Sequence, residues 1–157
     1  MNKIYLIILM ILIPFNVLAE VKKKIISNLN NIENINFKFI QTIQGKDEKG
    51  NCTIAYPKKI YCKYSKFNKI LVSNGNSLVI KTNKNNQYYR YKLENTPLNF
   101  LLDKKYIIEK ISKFNYKIID KKYYMFSLDE KKQNINIFFD KVSLDLIGWQ
   151  TEDLYQN

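Results

Sequence analysis

The feature that most narrows what this chain can become is the placement of its two cysteines about a proline. Cys52 and Cys62 stand at equal distances from Pro57 in the stretch Asn51-Cys-Thr-Ile-Ala-Tyr-Pro-Lys-Lys-Ile-Tyr-Cys-Lys-Tyr64. Folded back at Pro57, position 56 meets 58, 54 meets 60, and Cys52 lands opposite Cys62. Directly opposed residues of antiparallel strands hold their Cβ atoms at about the separation a disulfide needs. The pattern therefore predicts a β-hairpin closed by a Cys52–Cys62 disulfide, and an oxidising compartment. The alternative is two unrelated buried thiols, because spacing alone does not fix connectivity.

The amino terminus points to the same compartment. Met1-Asn2-Lys3 is a short basic start, Ile4 to Leu18 is an apolar run, and Val17-Leu18-Ala19 places small residues where a signal peptidase reads. A membrane anchor is the competing reading, but the run is broken by Pro14 and Asn16 and falls short of the ~20 residues a spanning helix needs. Residues 1–19 are therefore expected to be a cleaved signal peptide and residues 20–157 a single domain. Residue 20 is Glu, so no lipid-attachment cysteine follows the cleavage site and the exported chain is expected to be soluble.

Composition bounds the partners. Lys and Arg number 26 against 14 Asp and Glu, a formal charge of +12 that favours acidic partners: anionic headgroups, an acidic protein patch or nucleic acid. Export and a disulfide argue against nucleic acid. The lysines are scattered over nearly every segment, so a bias towards Lys, Asn and Ile in the genome is an equal contender for their origin.

Periodicity sketches the fold. Val21 to Ile32 carries Ile25, Ile26, Leu29 and Ile32 at helical spacing. Ile35 to Gln44 switches to period two, with Ile35, Phe37, Phe39 and Ile43 on one face. Gly45 to Gly50 reads as a turn, and strands follow at about 51–56, 59–65, 68–73, 77–82 and 87–93. Pro97 suits the first position of a short helix with Leu98, Leu101 and Leu102 as its apolar stripe, and Tyr106 to Ser112 reads as a second helical piece. Strands resume at about 114–119, 122–129, 133–140 and 143–152. Tyr88-Tyr-Arg-Tyr91, Tyr123-Tyr-Met-Phe126 and Phe138-Phe139 put large apolar groups on both sides of their strands, so something is expected to cover or occupy the second face.

Catalytic groups are few. No histidine is present, which removes the usual general base and the commonest metal ligand. The acid pairs Asp47-Glu48, Asp129-Glu130 and Glu152-Asp153 read as solvated turns rather than a two-carboxylate site, and Gly45, Gly50, Gly75 and Gly148 form no phosphate loop. No enzyme, cofactor or metal is expected.

The order of these features resembles the LolA family of periplasmic outer-membrane lipoprotein carriers. The residues that carry the resemblance are the first helix, Phe37-x-Phe39-x-Gln41, the Gly50 turn, Pro57 before an aromatic strand, Leu71-Val-Ser-Asn-Gly, Thr96-Pro-Leu-x-x-Leu-Leu102 and Leu146-x-x-Trp149-x-x-x-Asp153. The resemblance implies a mainly β, α+β fold: an unclosed antiparallel β-barrel or curved sheet with an α-helical lid. Leu29 matches an apolar lid residue, Ile60 a cavity-wall position, and Leu98, Leu101 and Leu102 the second lid helix. With Ile32, Phe37, Phe39 and Tyr64 these form the expected lipid-binding cavity and lid. Two positions depart from the pattern: the arginine that locks the lid is Tyr56 here, and a wall tryptophan is Cys62. A tyrosine lock has one hydroxyl or a stacking face, not the several directed bonds of a guanidinium. The resemblance also implies further strands beyond the Trp149 segment, so a chain ending at Asn157 is expected to be either a fragment or a minimal member with a wider opening.

What the resemblance implies for function is a carrier that shields the acyl chains of lipoproteins as it moves them from the inner to the outer membrane. Its expected partners are acylated lipoproteins, an inner-membrane ATP-driven lipoprotein exporter, and a LolB-like outer-membrane acceptor or the outer membrane itself. A monomeric periplasmic protein of the Gram-negative type is expected. The alternatives are a sensor module on the same fold that binds lipid or lipoprotein, and a general exported binder of hydrophobic ligands. A lipocalin-type binder would lack the helix before the first strand and the Thr96-Pro-Leu insertion. Cleavage after Ala19 makes Glu20 the first residue of the exported protein; N-terminal sequencing that instead returned Met1 would contradict the leader assignment.

Overall fold

The computed structural model describes residues 13–43, 45–66, 68–82, 87–130 and 133–151. The basic start Met1-Asn2-Lys3, most of the apolar run and the Glu152-Asp153 pair lie outside the described residues. Helix α1 spans Ile13–Asn31 and so begins earlier than the periodicity of Val21 to Ile32 predicts. Pro14 falls in its first turn, where a missing backbone N–H breaks no helical bond. Ile25 and Leu29, one turn apart, are buried. No helix among the described residues is long and apolar enough to cross a membrane.

The described residues divide into two bodies, residues 32–107 and residues 13–31 with 108–151. The first holds a six-stranded sheet of β1 (Asn34–Ile43), β2 (Lys46–Ala55), β3 (Lys59–Tyr64), β4 (Ile70–Asn74), β5 (Ser77–Thr82) and β6 (Gln87–Lys92). Its strands are ordered as in the sequence and all pair antiparallel. A single 3₁₀ turn at Leu93–Asn95 leads to the short helix α2 (Leu98–Leu101), and α3 (Lys104–Lys113) crosses the boundary between the bodies. The second body holds β7 (Lys117–Ile119), β8 (Tyr123–Glu130), β9 (Gln133–Asp140) and β10 (Leu146–Thr151) in the order β10-β9-β8-β7. Neither sheet closes on itself, which is the unclosed antiparallel α+β architecture the sequence predicts.

Alternation decides which face of each sheet is dry, because successive side chains point to opposite sides. In the six-stranded sheet Cys52, Ile54, Ile60, Cys62, Tyr64 and Leu78 are buried on one face, while their neighbours Thr53, Tyr61 and Lys63 are exposed on the other. In the four-stranded sheet the buried face carries Tyr124, Phe126, Leu128, Ile135, Ile137 and Phe139. Phe126 meets Phe139 edge-on at 5.8 Å, and the Tyr116 ring lies 4.6 Å from that of Tyr124, tilted by 59°. Asn28 of α1 donates from Nδ2 to the Ser143 carbonyl, which ties that helix to the turn after β9.

Three local expectations are corrected. The stretch Gly45 to Gly50 is not a turn; β2 starts at Lys46 and pairs with β1 along its whole length. Its polar composition suggests a loop, but Glu48 pairs with Gln41 across the ladder, and the Thr42 hydroxyl donates to Asp47 at 2.6 Å, so the hairpin absorbs these residues. The last two helical pieces also shift: α3 starts at Lys104, where Asp103 Oδ1 accepts from the Tyr106 amide at 3.2 Å and caps the first turn. Finally, the aromatic run of β6 stands at a sheet edge with Tyr88, Tyr89 and Tyr91 all exposed.

Gly50 sits between Phe39 on β1 and Tyr64 on β3. A Cβ there would stand 2.7 Å from Phe39 Cε1 and collide with the Lys63 carbonyl, a backbone atom that cannot swing aside. Gly50→Ala is therefore expected to cost about 1–3 kcal/mol of stability in denaturant titration; an unchanged midpoint would show that the three strands are not packed this closely.

Candidate functional site

The buried face of the six-stranded sheet begins with the β2–β3 hairpin. Cys52 and Cys62 are paired in register with Cα atoms 4.1 Å apart and their sulfur atoms in disulfide contact. Phe37 pairs with Cys52, and Ile60 with Ile54, so the predicted wall positions Phe37, Phe39, Ile60 and Tyr64 lie on one face as the alternation requires.

These positions are not equivalent. Tyr64 is buried and heavily committed: its hydroxyl donates to Gln41 Oε1 at 2.9 Å, its ring meets Phe39 edge-on at 4.9 Å, and Lys69 Nζ lies 4.3 Å from the ring centre. Lys69 also pairs with Glu48 at 2.6 Å. Burial, with Glu48 adding to it, pushes the Tyr64 phenol up to about 12. Tyr64 therefore anchors the strand end more than it offers surface to a ligand. Ile60 is packed at 3% exposure, whereas Phe37 and Phe39, with Ile35, Leu71 and Ile80 beside them, are half-buried. Tyr89 and Tyr91 continue the same face on β6 at 49% and 42% exposure. The face thus runs from a packed floor to an open apolar margin.

The lid segment of this body is pinned to the tip of the hairpin. Leu101 and Leu102 are buried and Leu98 half-buried. The Lys58 amide donates to the Leu102 carbonyl at 2.8 Å, and Lys58 Nζ reaches Asn99 Oδ1 at 3.2 Å and Asp103 Oδ2 at 3.7 Å. Lys58 holds this position because its backbone is left-handed (φ 61°) and its carbonyl accepts from the buried Ser73 hydroxyl at 3.0 Å. Lys104 Nζ donates to the Ile32 carbonyl at 2.8 Å and lies 5.9 Å from the centre of the Tyr56 ring.

Tyr56, the predicted lock position, acts differently from an arginine. Its amide donates to the Glu33 carbonyl at 3.0 Å, but its buried hydroxyl has no hydrogen-bond partner among the described residues. Burial pushes the phenol up to about 12. The hydroxyl therefore locks nothing; the directed contacts to the lid come from Lys58, two residues further on. Nothing in the sequence singles out Lys58 among the many lysines, and Asn99, Asp103 and Lys104 were equally silent. The only local hint is its place directly after Pro57 at the hairpin tip.

Leu29 is buried on α1 in the other body, and Ile32 is half-buried just after that helix. The four-stranded sheet also carries two concavities of about 340 and 350 Å³. The first is bordered by Ser127, Asn136 and Gln150 and the second by Tyr123, Phe138 and Trp149; neither is lined by a predicted wall or lid residue.

An open antiparallel sheet with a graded apolar face and a short helix held at the hairpin tip defines an unclosed antiparallel α+β class of fold. A sequence profile described as outer membrane lipoprotein carrier protein LolA matches residues 30–157, and the chain belongs to the LolA family. Members of that family are periplasmic carriers rather than enzymes. No curated protein matches the chain in sequence.

Two substitutions separate the roles at the hairpin tip. Tyr56→Phe removes a desolvated hydroxyl with no partner and is expected to raise stability by about 1 kcal/mol. The neutral phenol is the favoured form of Tyr56, so its contribution is intact below pH 10 and fades as pH rises towards 12; the Phe variant loses that alkaline decline. Lys58→Met removes the side-chain contacts to Asn99 and Asp103, and is expected to cost about 1 kcal/mol and to speed amide exchange across residues 98–107. Faster exchange in Tyr56→Phe with none in Lys58→Met would reverse the assignment.

Proposed function

We propose that this protein is a periplasmic carrier that takes up the acyl chains of lipoproteins on the apolar face of its six-stranded sheet and moves them from the inner to the outer membrane. Each methylene kept from water is worth about 0.8 kcal/mol, so acylated chains need an escort across an aqueous compartment. The observation that carries the reading is family membership over residues 30–157. The half-buried Phe37 and Phe39 support it, since they grade into an exposed tyrosine margin on the same face. Entry of a chain requires the segment bearing Leu98, Leu101 and Leu102 to lift from the hairpin tip, which releases the Lys58 contacts. Ile60 and Ile32 supply further apolar surface, and the Cys52–Cys62 pair keeps the floor in register. The signal peptide ends at Ala19, the exported protein acts as a monomer, and it loads from an ATP-driven exporter and unloads to an outer-membrane acceptor or to that membrane directly.

The experiment is release of a radiolabelled lipoprotein from inner-membrane preparations supplied with ATP. The exported chain should bring the lipoprotein into the soluble fraction, and Phe37→Glu should lower that release about tenfold without altering the circular dichroism spectrum, because a carboxylate on an acyl-binding face is costly to desolvate. Release that is equal with and without the protein would overturn the carrier reading.

A further inference from the structure

The exposed face of the six-stranded sheet has a charge distribution that cargo binding does not require. Pairing aligns Lys38, Asn51, Lys63, Ile70, Lys81 and Tyr88 in one row across the strands. The adjacent row runs through Thr53, Tyr61, Val72, Val79 and Arg90. Lys49 and Lys59 share the same face by alternation and are exposed, as are Lys38, Lys63, Lys81 and Arg90. None of these six cations has an ion-pair partner among the described residues. The acid on this face is Asp47, at the far end of β2, which already accepts the Thr42 hydroxyl at 2.6 Å. Lys92, at the other margin, pairs with Glu94 at 3.7 Å.

Between the cations lies apolar surface: Tyr61 is 48% exposed, Val72 38% and Tyr88 69%. Lysine-rich composition alone does not produce such a face. On the four-stranded sheet the first concavity is bordered by Ser127, Asn134, Asn136 and Gln150, with Lys117 as its single cation.

We infer that this face docks the protein on membranes rich in anionic phospholipid. A row of unpaired cations beside a stripe of Tyr and Val fits the interface of a bilayer. There, basic side chains meet headgroup phosphates and tyrosine rings lie at headgroup level. A folded acidic protein would have to present carboxylates matched to positions spread over five strands. Laterally mobile lipids adapt to any such array. The apolar stripe is shallow, so contact is electrostatic and reversible, as a shuttle between two membranes requires. The inference stands on charge and strand register and does not need the acyl site to be correct.

The test is co-sedimentation of the exported chain with vesicles of phosphatidylcholine, with and without phosphatidylglycerol. Binding should require phosphatidylglycerol and fall as salt is raised. The double variant Lys63→Glu with Arg90→Glu should weaken partitioning by about tenfold or more, while Lys117→Glu should leave it within about twofold. Should the double variant misfold, Lys63→Gln with Arg90→Gln provides the same reading through neutralisation. Binding of a water-soluble acylated peptide, with no membrane present, should persist in the double variant, which keeps a failure of this inference apart from a failure of the carrier reading. The inference is overturned if the protein ignores the anionic vesicles, if it binds neutral vesicles equally, or if Lys117→Glu weakens binding as much as the double variant. The first of these outcomes would turn attention to an acidic protein partner.

Discussion

The register of the β2–β3 hairpin is the constraint from which the larger sheet follows. A slip of one residue would turn every side chain of a strand to the opposite face. Here Cys52 opposite Cys62 excludes that slip, and Gly50 opposite Tyr64 lets three strands approach closely at the far end. With the register fixed, Ile54, Ile60 and Leu78 are committed to the dry face, and Lys63, Tyr61 and Thr53 to the wet one. The apolar face and the cationic face are therefore two consequences of one pairing, carried outwards to β1 and β6 by successive antiparallel ladders.

In the carrier proposed above, the hairpin tip is where the sheet opens to cargo. Lys58 connects the Leu102 carbonyl, Asn99 and Asp103 on one side to Ser73 on the other. Each such contact is worth roughly 0.5–1.5 kcal/mol net, less where water reaches it. In the proposed carrier, a segment held by a few such contacts lifts without unfolding the sheet. An arginine at position 56 would add directed bonds to this latch. Tyr56 instead contributes a half-buried ring and a buried hydroxyl with no partner among the described residues, so the directed contacts there come from Lys58.

Much of this was legible in the residues, and the limits have physical causes. The alternation of Ile35, Phe37 and Phe39 fixed a strand and its face, and the symmetry about Pro57 fixed a hairpin, because both are local and periodic. The segment Gly45 to Gly50 misled because its charged side chains sit at an exposed strand end, where composition resembles a turn. Lys58 could not be recognised because its role arises from a left-handed backbone and from partners about 40 residues away. The cationic face was hidden for a related reason. Lysines that look scattered along the chain are gathered only when six strands are laid side by side.

Family membership, the graded apolar face and the Lys58 contacts all support the proposed sheltering and release of acyl chains. The most direct measurement is native mass spectrometry of the protein isolated from the periplasm without detergent. The account predicts a population whose mass exceeds that of the exported chain by one acylated polypeptide, lost when the acyl groups are removed enzymatically. A spectrum showing only the bare chain, from cells actively exporting lipoproteins, would contradict it.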